Sequence, residues 1–261
     1  MKPLTITIVQ TGLHWEDKRA NLSMLENKLS DLPAETQIVI LPEMFSTGFS
    51  MNTSLAEKMN GKTVNWMKDI STKKKIILAG SVIIEENEMF YNRLLYILPN
   101  GEIGTYDKRH LFAFANENLS YTAGKNKLIT TVNGWKIKWQ ICYDLRFPVW
   151  ARQSSEDSNT YDLLINVANW PSKRIHAWKS LLTARAIENQ SYVIGVNRTG
   201  DDGNSNTYSG NSMVVDPLGE LIYDAGNKEE LFTITFEKEK LLNIRQHFPF
   251  LNDRDSFEIK V

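Results

Sequence analysis

Along the first eighty residues, apolar positions switch between the alternation of a strand and the three-to-four spacing of a helix. The β-rich run at 4–10 (LTITIVQ) predicts a strand, and Leu22, Leu25, Leu29 and Leu32 recur on one face of the helix after it. An uninterrupted apolar run at 38–41 (IVIL) predicts a buried strand and completes a βαβ unit. Val64, Met67 and Ile70 repeat the helical spacing before a strand at 76–84 (IILAGSVII). The pattern then changes. YNRLLYILP and NGEIGTY predict a hairpin across 90–106 turning at Asn100-Gly101, and KLITTV-NG-WKIKWQIC predicts another across 127–142.

Further on, DLLINVAN at 162–169 reads as a strand, and a helix at 176–190 carries Trp178, Leu181, Leu182, Ala184 and Ile187. A strand at 192–197 follows, then a hairpin across 212–223 turning at DPLG, then a strand at 231–236 and a polar tail. About a dozen strands with four or five helices are too many for one compact open sheet. The expected class is therefore α/β, with two packed sheets flanked by helices. No linker, repeat or low-complexity run divides the chain, so residues 1–261 are expected to form one domain.

Composition narrows the partners. With 42% hydrophobic and 23% charged residues the chain reads as folded throughout. Thirty basic against thirty-one acidic residues leave a net charge of −1, with no field to draw nucleic acid or an anionic membrane. Small-molecule partners are expected instead. No apolar run approaches the ~20 residues needed to span a bilayer, and MKPLTITIVQTG lacks the pattern of a signal peptide, which favours the cytoplasm. His14, His110, His176 and His247 lie far apart without metal-ligand spacing, so no metal is expected.

One cysteine excludes an internal disulfide and leaves buried filler, a redox site or a nucleophile. Three reactive residues stand where strand runs close: Glu43 closing IVILPE, Lys108 at the end of GTYDK, and Cys142 at the end of WKIKWQIC. Each has a bland alternative. Glu43 could be a solvated loop charge, Lys108 half of a surface basic pair with Arg109, and Cys142 an inert small hydrophobe. Together they are chemically coherent. A thiol of pKa ~8.5 is mostly protonated at neutral pH. A glutamate can take its proton and return it to a leaving group, while an ammonium can stabilise thiolate and oxyanion. A redox sensor is the weaker reading, because no second cysteine could resolve a sulfenic acid.

At these residues the chain resembles the nitrilase superfamily, and within it the omega-amidase branch. The matching segments are LPEMFSTGF at 41–49, YDKRHLF at 106–112, ENLSYTAG at 117–124, ICYDLRFP at 141–148, NVANWP at 166–171 and RAIENQSYVIGVNRTG at 185–200. They follow the family's order over almost the whole chain. The resemblance implies an αββα sandwich of two packed mixed β-sheets flanked by helices, a homodimer or larger assembly, and no cofactor. It assigns Glu43, Lys108 and Cys142 to the catalytic triad and Glu117 to a second glutamate that orients the triad and the water; the alternative for Glu117 is a surface loop charge. The backbone N–H of Tyr143 becomes the second oxyanion donor.

Arg146 is either a structural arginine against Asp144 or a bidentate clamp for a substrate carboxylate. Arg174 is a second carboxylate candidate, and Trp170 either walls the pocket or belongs to the core. Arg185, Glu188 and Asn189 read as scaffold. The expected reaction is hydrolysis of the ω-amide of a 2-oxo-dicarboxylic acid such as 2-oxoglutaramate, through a cysteine thioester. Alternatives are a relative acting on nitriles or N-carbamoyl amines, and a catalytically silent binding protein of the same fold.

Overall fold

The computed structural model describes residues 2–154 and 159–260. Strand β1 (Leu4–Gln10) is followed by helix α1 (Lys18–Lys28), β2 (Ile38–Ile40), α2 (Lys62–Lys74), β3 (Ile77–Glu86), β4 (Met89–Ile97) and β5 (Ile103–Asp107). A short helix α3 (Glu117–Ser120) leads to β6 (Leu128–Val132) and β7 (Trp135–Ile141). Then come α4 (Pro148–Ala151), β8 (Leu163–Val167), α5 (Ile175–Asn189) and β9 (Tyr192–Val196). The chain continues through β10 (Thr199–Asp201), β11 (Thr207–Ser209), β12 (Met213–Val215), β13 (Leu221–Asp224), β14 (Glu230–Phe236) and α6 (Lys238–His247).

Two six-stranded mixed sheets result, ordered β14-β1-β2-β3-β4-β5 and β13-β12-β9-β8-β7-β6. In each, three central strands run parallel and the outer ones antiparallel. Parallel centres are buried on both faces, which is why their sequences read as continuous apolar runs. Ile6, Ile8, Ile38 and Ile40 of the first sheet pack in one core with Trp139, Ile141, Ile165 and Val167 of the second. On its outer face the first sheet carries Leu22 and Leu25 of α1 and Val64 and Met67 of α2. The second carries Trp178, Leu182 and Ala186 of α5. The layers are therefore α, β, β and α, as expected.

Several expectations are corrected. Leu29 and Leu32 lie beyond α1, which ends at Lys28; Pro33 disfavours helix in the residue before it. Both leucines still pack on the first sheet's outer core. Strands β3 and β4 form a hairpin through Asn87-Glu88, both with positive φ (53° and 65°), a tight turn made without the usual glycine. The polar tail is in part helix: Leu241 of α6 is fully buried, while Lys238 and Arg245 are anchored on Asp162. Charged anchors replace the apolar stripe there, so periodicity misses the helix. Cys142 does not end β7; it opens a 3-10 turn, Cys142–Arg146, immediately after the strand.

Candidate active site

Each reactive residue sits just past the end of a strand. Glu43 follows β2, where Leu41 N–H still bonds Ala79 O at 2.8 Å and Met44 N–H bonds Ser81 Oγ at 2.8 Å. Met44 takes a left-handed φ of 43°, turning the chain sharply over the sheet edge. Lys108 follows β5 and remains tied to β4, its N–H donating to Asn92 O at 3.0 Å. Cys142 has φ 44°, uncommon for a non-glycine residue, at the bend between β7 and the 3-10 turn.

These elements bring Glu43, Lys108 and Glu117 into contact, all with fully buried side chains. Lys108 Nζ donates to Glu43 Oε1 at 2.8 Å and lies 3.0 and 2.9 Å from the two Glu117 oxygens. Asn92 Nδ2 donates to Glu43 Oε1 at 2.8 Å and Glu117 Oε1 at 3.2 Å, bridging the carboxylates. The other Glu43 oxygen accepts the Asn169 N–H at 2.8 Å, and the other Glu117 oxygen accepts the Phe112 N–H at 2.6 Å. The Glu43 carboxylate acts electrostatically on the Cys142 thiol, whose Sγ lies 4.0 Å from Asn169 O.

Charge determines the resting protonation. Burial works against the Lys108 ammonium, but Glu117, Glu43 and Cys142 outweigh it and hold its pKa above the ordinary value. Burial raises the pKa of Glu117, with Lys108 opposing and Glu43 adding to the rise. Burial, Glu43 and Glu117 push the Cys142 thiol well up against the pull of Lys108. A thiolate beside two carboxylates and one ammonium would leave buried negative charge in excess. The thiol therefore rests protonated.

Cys142 lies on a cavity of about 160 Å³, smaller than the ~300–1,000 Å³ of drug-sized sites, which restricts a ligand to a small molecule. Arg146 and Arg174 line it, with guanidiniums 5.0 Å from the Trp170 ring and 5.1 Å from the Phe112 ring. Arg146 is not the structural partner of Asp144, because that carboxylate is filled by Tyr106, His110 and the Ile141 N–H. Among the described residues neither arginine is paired with a carboxylate. Trp170 is both wall and core: it lines the cavity, packs on Trp178, and donates Nε1–H to Arg174 O. Tyr143 lines the cavity beside Cys142, its amide in the first turn of the 3-10 segment, where N–H groups lack a partner within the turn.

Arg185, Glu188 and Asn189 are scaffold. Arg185 donates to Leu145 O at 2.6 Å and to Glu188 at 3.1 Å, bracing the Cys142–Arg146 turn from α5. Asn189 holds the Gln153 N–H at 2.9 Å. Sequence reasoning missed Asn92, Asn166 and Asn169. The available signal was an asparagine inside an otherwise apolar strand run, as in YNRLLYI and DLLINVAN. Asn166 Nδ2 reaches Cys142 O at 3.4 Å. Among the described residues no three His, Cys, Asp or Glu side chains are grouped to hold a metal ion, and no helix is long and apolar enough to cross a membrane.

A four-layer α/β sandwich with glutamates, lysine and cysteine converging at strand ends defines a hydrolase class, and the chain belongs to the carbon–nitrogen hydrolase family, whose profile matches residues 5–245. Within the nitrilase superfamily it belongs with the amide hydrolases of the omega-amidase branch. It is 41% identical to omega-amidase YafV of Yersinia enterocolitica, over 98% of this chain and 99% of that one. It is also 30% identical to the 2-oxoglutaramate amidase of Bacillus subtilis, over 95% of this chain and 96% of that one. The crystal structure of XC1258 from Xanthomonas campestris, a CN-hydrolase superfamily protein with an arsenic adduct in its active site, superposes with a TM-score of 0.97 at 41% identity, covering 100% of both chains.

Proposed function

We propose that the protein hydrolyses the terminal amide of a small 2-oxo-dicarboxylic acid monoamide of the 2-oxoglutaramate kind, giving the acid and ammonia through a thioester on Cys142. One observation carries the reading. The Glu43–Lys108–Glu117 cluster adjoins Cys142, and the cavity beside the thiol is lined by two guanidiniums unpaired with carboxylates. The activities of the YafV and B. subtilis relatives point the same way.

In the first half-reaction Glu43 takes the thiol proton as sulfur bonds to the amide carbon. The carbonyl electron pair moves onto oxygen, held by Lys108 and the Tyr143 N–H. The intermediate collapses, the C–N bond breaks, and Glu43 returns its proton to the departing ammonia. Water aligned by Glu117 and deprotonated by Glu43 then attacks the thioester. Breaking the C–S bond releases the acid, and Glu43 reprotonates the sulfur. Arg146 or Arg174 pairs with the substrate carboxylate at the end remote from sulfur, where a planar guanidinium makes two parallel bonds. Trp170 walls that end of the cavity.

Ammonia release across 2-oxoglutaramate, 2-oxosuccinamate, glutamine, a simple nitrile and an N-carbamoyl amine tests the reading. The 2-oxo amides should have the highest kcat/KM, and rapid-quench mass spectrometry should show an acyl adduct on Cys142. Preference for the nitrile or the carbamoyl amine would move the substrate class accordingly. Stoichiometric labelling of Cys142 without turnover of any compound would mean a binding protein. A nucleophile kept as a free thiol suits the reducing cytoplasm. A homodimer is the assembly we infer: Ile187, Leu218 and Leu221 are 52%, 45% and 56% exposed around Gly219, on the outside of α5 and the β12–β13 turn. Light scattering should give twice the chain mass.

A further inference from the structure

The lysine loop and the nucleophile turn are joined by more than the substrate cavity. Lys108 is flanked two residues before by Tyr106 and two residues after by His110, and both side chains donate to Asp144, which stands two residues after Cys142. Tyr106 O–H reaches Asp144 Oδ2 at 2.6 Å. His110 reaches Asp144 Oδ1 with both its backbone N–H (2.9 Å) and its ring Nδ1 (2.8 Å). The fourth donor is the Ile141 N–H, immediately before the nucleophile, at 3.0 Å from Oδ2. All four principal acceptor positions of one fully buried carboxylate are thus filled, three by the residues flanking Lys108 and one by the residue before Cys142.

The apolar surroundings stiffen this hub. The His110 ring stacks on Phe147 at 3.6 Å and 5° between planes, with Trp150 edge-on at 5.9 Å. Trp150 Nε1–H donates to the Tyr106 phenol oxygen at 2.9 Å, closing the ring of contacts. The hub also caps the turn in which Cys142 adopts its left-handed φ of 44°. Such a conformation persists only where surrounding contacts overdetermine it.

We propose that Asp144, with His110 and Tyr106, is a positioning hub that sets the separation of the Lys108 ammonium and Cys142 sulfur. None of the three is assigned proton transfer. The proposal rests on the amidase reading only for its kinetic arm, since Cys142 alkylation measures the thiol without any amide substrate.

His110→Phe keeps the stack and removes the ring donor, whereas His110→Asn keeps a donor near the Nδ1 position and removes the stack. With misplacement by about 1 Å costing as much as ~10²-fold, His110→Phe should lower kcat by roughly ten- to hundredfold while KM changes less than about twofold. The iodoacetamide alkylation rate at Cys142 should change in parallel, and His110→Asn should recover most of both. Circular dichroism and thermal melting confirm that the compared variants are folded; if His110→Phe fails to fold, Tyr106→Phe removes a donor to the same carboxylate from the other side of Lys108. A folded donor-deficient variant with wild-type kcat and alkylation rate overturns the proposal, as does an equal loss in His110→Phe and His110→Asn. If the wild type turns over no amide, the proposed function fails while the alkylation comparison still decides the hub.

Discussion

Lys138 stands on β7 four residues before Cys142, 1% exposed, with Nζ donating to Trp150 O at 2.7 Å and Ala151 O at 3.3 Å and facing the Tyr161 ring at 5.3 Å. Burial, aided by the Lys127 charge and opposed by Asp144, pushes its pKa down from 10.5 to about 7. The unfolded chain then binds the proton more tightly than the folded one. Below about pH 7 both states are protonated and the folded state carries the full penalty, about 5 kcal/mol at ~1.4 kcal/mol per pKa unit. As pH rises from there towards 10.5, folding stability increases. Between pH 7 and pH 9 the gain is about 2 kcal/mol, after allowing for half-titration at the start. Lys138→Met keeps the length and removes the charge; leaving two carbonyls without their donor costs a pH-independent ~1–3 kcal/mol. Urea denaturation of both proteins at pH 7 and pH 9 isolates the effect, because other titrating groups cancel in the difference of differences. Wild type should gain about 2 kcal/mol more than the variant over that interval. Parallel stabilities would refute the reasoning, showing that two carbonyls and an aromatic face sustain the buried ammonium.

On the proposed mechanism Lys108→Met should lower kcat by at least ~10²-fold, the usual cost of one oxyanion donor, and Glu43→Gln should be worse because there Glu43 shuttles the proton in both half-reactions; steady-state ammonia release checks both. Asn92→Ala removes the bridge between Glu43 and Glu117 and should reduce kcat by about tenfold or more, with a buried bond to charge worth ~1.5–3 kcal/mol; unchanged kcat in a folded variant would make Asn92 scaffold only. Replacing whichever of Arg146 and Arg174 holds the carboxylate by alanine should cost ten- to hundredfold in kcat/KM, equivalent to ~1.5–3 kcal/mol, for the 2-oxo amide. Lysine should restore it only in part. An uncharged amide of similar length should be nearly insensitive, and equal losses for both substrates would make that arginine structural.

What the chain determines by itself is local. Period-two runs place β1 and β7, the continuous run at 38–41 marks β2 as buried on both faces, and Asn133-Gly134 turns β6 into β7 because both residues tolerate positive φ (51° and 82°). The reactive residue types and their positions after strand ends are also readable, since a strand's end is where a side chain can leave the sheet. Only the tertiary structure decides which of these ends meet. Asn92 is an ordinary polar interruption of a strand until Glu43 and Glu117 stand opposite it. Arg146 could have turned toward Asp144, but Tyr106, His110 and Ile141 already fill that carboxylate and the guanidinium lies over Trp170 instead. Helix α6 escapes periodicity because Asp162, distant in sequence, supplies the charge that holds Lys238 and Arg245. Hydrophobic spacing reports which face of a segment leaves water; a buried polar group's partner is set by sheet order and packing between segments far apart in the chain.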